Sequence, residues 1–356
     1  MEDKKSFVDC YVRSAKLKLL FIISLFVLCI ILLFVSLSTE AAGISLKDSL
    51  GYIWDNITGK TYPPGSEDYY GSYYIWEYKV PRVLFAVIAG TGLSIAGVTM
   101  QSVMNNSLAD PYTTGISSGA CLGIAAALVL GVSASMSGSL LIVIASFIFA
   151  MIPTAVILMI SPKAKSSPST LILAGVALSY IFNSFSTLLL VSTDAETLAT
   201  IYTWQVGSIA GVPWSNILIT AILVAIGCIV SLLLSRQLNV LALGESNATA
   251  LGLDTEVLRI LCLMIIAFIV AGIVGSAGII GFVGLMSPHI VRMIVGSDNR
   301  YVIPASIAFS SAFLLLCDII AMKLDPLDGI PAGTVISLLG APIFLYLIVR
   351  RNSNIW

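Results

Sequence analysis

Charge is what this chain has least of: of 356 residues only 10% are Asp, Glu, Lys or Arg, 18 basic against 19 acidic, for a formal net charge of -1. A water-soluble domain of this length cannot cover its surface with so few charges, which excludes an ordinary globular fold in water. The basic residues are scattered, whereas a phosphate backbone demands a clustered Lys/Arg surface, so nucleic acid is excluded as a partner. Histidine occurs once, as His289. With no paired carboxylates inside the apolar runs, nothing supplies the nucleophile, base and orienting group of a membrane-embedded enzyme. The six cysteines, Cys10, Cys29, Cys121, Cys228, Cys262 and Cys317, are dispersed singly. Without a CxxC pair they read as small buried hydrophobes, not as metal ligands or exchanging thiols. A nucleotide-binding loop is missing too. The nearest approach is Gly59-Lys60-Thr61, but the required earlier glycine falls on Trp54.

What the chain has in abundance is apolar sequence, 58% of its residues. Runs long enough to cross a bilayer fall near residues 17-37, 81-104, 114-131, 138-160, 170-190, 214-235, 257-277, 280-295, 304-322 and 331-349. Only helices satisfy every backbone donor and acceptor within such a segment, and the runs do not alternate as barrel strands do. The expected fold is therefore an all-α polytopic membrane protein, a single transmembrane domain over 1-356 with about ten helices. The first run follows Lys4, Lys5, Arg13, Lys16 and Lys18 but has spanning length and no convincing small-residue cleavage site, so it reads as a retained helix. With both termini in the cytoplasm, 13 of the 18 basic residues lie in cytoplasmic segments, the other five being Lys47, Lys60, Lys79, Arg82 and Lys323. That asymmetry fixes the expected orientation and makes residues about 38-80, rich in Tyr with Trp76, an external segment suited to a membrane interface.

Several features exceed hydropathy. Gly90, Gly92, Ala96 and Gly97 give the second span a face for close helix approach, and Gln101, Asn105 and Asn106 add amides that need partners, so this span should be central. Asp110-Pro111 then breaks the chain before Gly115-Ile116-Ser117 starts the next span, predicting a sharply re-entering turn. Glycines at 272, 275, 278, 281 and 284 predict a tight turn and close backbone contacts between the seventh and eighth spans. Leu238 to Leu253 predicts two short helices parted by Gly244, with Glu245, Ser246 and Asn247 able to start the second and Gly252 to end it. Asp318, the only acid deep in a span, should have a partner or a wet cavity, since a charge there costs about 2.5-3.5 kcal/mol.

The order of Val80-Pro81-Arg82, Gly97-Val98-Thr99-Met100-Gln101, Asn106-Ser107-Leu108-Ala109-Asp110-Pro111, Leu173-Ala174-Gly175-Val176-Ala177-Leu178, Gly281-Phe282-Val283-Gly284-Leu285 with Pro288-His289, and Leu338-Leu339-Gly340-Ala341-Pro342 resembles the FecCD-type permeases. These are membrane subunits of ABC importers for iron siderophores, haem and cobalamin. The resemblance runs from about Lys79 to the C-terminus and implies a type II ABC importer permease fold in the plasma membrane. It also implies a second permease copy (homodimer or close paralogue), a cytoplasmic ABC ATPase dimer that uses the ATP and Mg, and an extracytoplasmic substrate-binding protein, with no cofactor bound by this chain.

By the same mapping the loop at about 236-256 docks the ATPase through Leu241, Leu243, Gly244, Glu245, Ser246, Asn247, Leu251 and Gly252. Asn106, Leu108, Pro168 and Ser169 form a cytoplasmic gate, and Lys79, Arg82 and Lys323 meet the binding protein. His289 is expected to be structural. The sequence departs from the family pattern at Ser107, at Met322 closing Asp318-Ile319-Ile320-Ala321-Met322, and at Gly329-Ile330-Pro331. The competing class is a secondary transporter driven by an ion gradient, for which Asp318 is the only support. The implied cargo is a metal chelate, foremost a ferric siderophore, with haem and cobalamin open.

Overall fold

The computed structural model describes residues 2-39, 44-132, 136-160, 168-325 and 330-350. In chain order the helices are α1 (Glu2–Ser38), α2 (Leu46–Ile57), α3 (Glu67–Tyr74), α4 (Val80–Val103), α5 (Ile116–Val129), α6 (Met136–Ile160), α7 (Pro168–Val191) and α8 (Ala195–Val206). They continue as α9 (Trp214–Leu233), α10 (Ser235–Leu241), α11 (Glu245–Ala250), α12 (Thr255–Ala277), α13 (Val283–Val295), α14 (Asn299–Leu324) and α15 (Ala332–Arg350). A π-helical turn, Ile75–Lys79, joins α3 to α4, and a 3-10 turn, Pro111–Thr114, precedes α5. Seven helical segments are long and apolar enough to cross a membrane, and α5, α13 and the 332-347 part of α15 are shorter apolar helices. Together they match the ten expected runs, and no strand occurs among the described residues.

The expected centrality of the second span follows from its small residues. A Cβ on Gly97 would lie 1.8 Å from the Gly284 carbonyl oxygen of α13, and one on Gly90 would lie 2.7 Å from the Ser311 Cα of α14. Contacts this close can form only where side chains are absent, and they draw α4, α13 and α14 into one tightly packed interior. Phe85, Leu93, Ile95 and Met100 of α4 are all at most 1% exposed. By contrast α1 and α9 turn outward with Leu17, Leu20, Leu218 and Ile229, the side chains expected against lipid.

Two breaks interrupt the helices: residues 278-282 separate α12 from α13, and residues 104-115, which include the 3-10 turn, lead from α4 back into α5. The two breaks meet where the Tyr112 hydroxyl donates to the Ile280 carbonyl at 3.1 Å, with Ile280 fully buried. Irregular backbone survives in a membrane only where protein covers it and satisfies it, as here. The turn at Gly278 needs glycine twice over: φ is +75, and a Cβ would stand 1.9 Å from the Trp204 carbonyl oxygen.

The evenly spaced glycines do not, however, hold the seventh and eighth spans against each other as expected. Each faces a different neighbour: Gly272 faces Leu223 of α9, Gly275 faces α6, Gly284 faces Leu93 of α4, and Gly281 faces open space. The glycines are spread over the end of α12, the break at 278-282 and the start of α13, so an even spacing in sequence does not place them on one contact surface.

The two ends of the bundle differ. One end, here the hairpin end, carries α2 and α3, capped by Ser45 and Ser66 and pinned by the Tyr52 hydroxyl on Asp68 (2.8 Å) and Asn56 on Ser72 (2.7 Å). Trp214 Nε1 donates to the Trp76 carbonyl at 3.0 Å, tying this hairpin to the start of α9. Lys60 is held by Asp55 at 2.8 Å, a surface ion pair and not a phosphate loop. The other end, the loop end, carries α10, α11 and the 104-115 turn.

Candidate functional site

At the loop end the polypeptide folds into helix, glycine, helix. Gly244 adopts φ 98 and ψ 151, a conformation that side-chain-bearing residues rarely adopt, and this redirects the chain between α10 and α11. Gly252 closes α11 with φ +85: its N–H donates to Thr249 O at 2.9 Å and that of Leu253 to Ala248 O at 3.1 Å, the paired bonds of a Schellman cap. Leu238, Leu241 and Ala248 face inward onto Val103, Leu258 and Cys262, which anchors the element to the ends of α4 and α12. Leu243 and Leu251 are 59% and 67% exposed, and Glu245, Ser246 and Asn247 are exposed beside them. Glu245 turns back to α12, where it accepts from Arg259 Nη2 at 3.2 Å, a guanidinium that is itself 2% exposed.

The turn after α4 begins where Asn105 takes φ 46. Asn106 Oδ1 accepts the N–H of Leu108 at 2.9 Å, and both residues are exposed while Ser107 is buried. Pro168 and Ser169 open α7, but their side chains lie outside the described residues.

Behind this turn runs a buried polar cluster that sequence reading missed. Arg292 of α13 donates from Nη2 to Ser102 Oγ (3.1 Å) and to Asn299 Oδ1 (3.0 Å), and from Nη1 to the Ser297 carbonyl (3.1 Å). The N–H of Asn299 in turn donates to Asn239 Oδ1 of α10 at 2.8 Å, and Asn239 Nδ2 donates to Asp298 Oδ1 at 2.7 Å. Burial alone would raise the Asp298 carboxyl, but hydrogen bonds from Arg300 and Asn239 prevail and hold it near 2.

At the hairpin end the expected docking cations need correction. Lys79 is 1% exposed, its ammonium donating to the Thr39 carbonyl at 2.7 Å and lying 3.2 Å from Met322 Sδ. Arg82 binds Asp318 through Nη2 (2.8 Å) and Nε (3.0 and 3.1 Å), and the carboxylate is wholly buried. The physical reason is economy of burial: the one acid in a span requires a counter-charge, and Arg82 at the head of α4 supplies it. Of the three, Lys323 alone stands exposed, in the last turn of α14. His289 is buried with its ring edge-on to Phe344, centroids 5.4 Å apart, a structural setting.

A bundle of apolar helices with two breaks that meet, and with an anchored helix-glycine-helix element at one end, has the architecture of the membrane-spanning permeases of ABC transporters. A solved subunit assigned to the metal-chelate type, captured facing inward, superposes with TM-score 0.81 at 29% identity, covering 93% of this chain and 99% of that one. The chain belongs to the FecCD transport family, whose profile matches residues 28–350. It is 32% identical to the hemin transport system permease protein HmuU of Yersinia pestis, over 92% of this chain and 95% of that one. It is 33% identical to the Fe(3+)-citrate import system permease protein YfmD of Bacillus subtilis, over 96% and 98% of the two chains.

Proposed function

We propose that this permease carries a metal chelate of the ferric-siderophore class inward, driven by a separate ATPase that docks on the α10–Gly244–α11 element. The single observation that carries the docking is the exposed pair Leu243 and Leu251 on an otherwise anchored, polar-rimmed loop. Apolar side chains presented outside the spans by a rigid element ask for a protein cover. The loop end is then cytoplasmic, as the basic-residue asymmetry requires, and both chain termini lie there. Chelate selection falls to the binding protein at the hairpin end, where Lys323 is the exposed cation of the three expected to meet it. Relatives that carry cargoes as different as hemin and Fe(3+)-citrate on similar chains fit that division of labour. The ion-driven alternative loses its support, because Asp318 already holds Arg82.

A second copy of the chain completes the pathway. α7 exposes Asn183, Ser184 and Thr187 along with Tyr180 and Phe185, a mixed face that lipid disfavours and a water-lined dimer interface accommodates. Co-expression with the partner ATPase is expected to yield a complex of two permeases and two ATPases, and Leu243→Asp with Leu251→Asp to abolish co-purification at unchanged membrane levels. Full co-purification of the double variant, or ATP hydrolysis by the purified permease alone, would refute the proposal.

A further inference from the structure

We infer that Asn239, Asn299, Arg292 and Ser102 form a transmission line from the coupling element to the gate, Asn239 being the positioning residue at its loop end. The inference rests on the docking reading above and adds the route by which a push on α10 reaches the turn after α4.

The geometry is serial. Asn239 grips the start of α14 twice, accepting from the Asn299 N–H at 2.8 Å and donating to the Asp298 carboxylate at 2.7 Å. Its primary amide presents the acceptor to the N–H and the donor to the carboxylate from two separate atoms of one planar group. Asn299 is fully buried, and its Oδ1 receives Arg292 Nη2 at 3.0 Å and lies 3.3 Å from Ser102 Oγ, whose hydroxyl has the Val98 carbonyl as a nearer acceptor at 2.9 Å. Arg292 Nη2 also donates to Ser102 Oγ at 3.1 Å, so three helices meet at one pair of oxygens. Ser102 sits in the last turn of α4. Its carbonyl accepts the N–H of Asn105 at 3.3 Å, and the Gln101 carbonyl accepts that of Asn106 at 3.0 Å. The gate turn therefore begins as the hydrogen-bonded continuation of the turn that Arg292 and Asn299 hold.

Rigid packing alone would fill this site with apolar side chains. Instead a buried guanidinium is placed there, and Arg292 Nε and Asn299 Nδ2 have no acceptor among the described residues. Two unspent donors in a buried cluster allow partners to be exchanged when α10 shifts, which is what a two-position element needs.

The experiment uses the permease with its co-purified ATPase in nanodiscs, with the native cysteines replaced and a nitroxide on Leu108→Cys in both copies. Electron-electron distances are measured with and without ATP plus vanadate, alongside the hydrolysis rate. The reference complex is expected to change its inter-label distance on trapping. Ser102→Ala, which touches nothing on the coupling element, should keep assembly and hydrolysis but lose most of that change, Asn239→Ala should lose as much of it, and the double variant should be no worse than either. A distance change equal to the reference in either variant overturns the line, as does loss of ATPase assembly in Asn239→Ala, which would make Asn239 a docking residue. If the reference complex fails to assemble or to move, the docking reading itself has failed.

Discussion

Removing the guanidinium that faces Asp318 tests whether Arg82 is part of the fold or a docking cation. Asp318 is wholly buried, and the Arg82 side chain is 16% exposed. In Arg82→Met the apolar stem is largely kept while Asp318 is left as an uncompensated charge, a change that costs about 3-5 kcal/mol in buried pairs. At about 1.4 kcal/mol per tenfold, that lowers the folded-to-unfolded ratio by roughly two to four orders of magnitude. Asp318→Asn should cost less, because Arg82 lies near the helix end and its head can move toward water. Replacing both, as Arg82→Met with Asp318→Leu, should recover most of the loss, since an apolar pair avoids the desolvation of two charges. Thermal unfolding of the detergent-solubilised permease, followed by fluorescence-detected size exclusion, ranks the three against the parent. A parental melting temperature for Arg82→Met, or a double variant as unstable as the single, refutes the reasoning. A pure docking role would leave stability unchanged and slow association with the binding protein instead.

Gly97→Ala should destabilise by about 1-3 kcal/mol or more, because the new methyl meets a backbone oxygen that can retreat only if α4 and α13 part; an unchanged melting temperature would show the crossing to be loose. Asp298→Asn should weaken the start of α14 with a defined pH dependence. The Asp298 carboxyl lies near 2, below the ordinary 3.8, so its stabilising contribution is present above 3.8 and lost as pH falls through 2. The stability gap between parent and variant should therefore stay constant from pH 8 to 5, and a gap that closes within that range would contradict the assignment.

The parts legible in the sequence are those written in local chemistry. The apolar runs mark the seven helices long enough to cross and the three shorter apolar ones, Gly90 and Gly97 declare a central helix, and Gly244 and Gly252 mark where two short helices part and end, because glycine suits those backbone conformations. Helices α2, α3 and α8 are too short and too polar to stand out as spans, yet α2 carries Leu46, Leu50, Ile53, Trp54 and Ile57 at helical spacing behind its cap Ser45, a signal that a search for spanning runs passes over.

What the sequence hid is the pairing of residues far apart along it. Arg82 and Asp318 are 236 positions distant, and Asn239 and Asp298 are 59. A basic residue at the head of a span reads equally as an interfacial anchor, a docking cation or a counter-ion, and an Asp before a helix reads as a local cap. Yet one inference was within reach. Asp318 required a partner, the cations outside the expected cytoplasmic segments numbered five, and only Lys79 and Arg82 adjoined the head of an interior span. The need of Asp318 for a counter-charge, set against those two cations, already points to the ion pair from the sequence. In a membrane chain with so little charge, each buried charge must be matched within the fold before any of its charges is assigned to a partner.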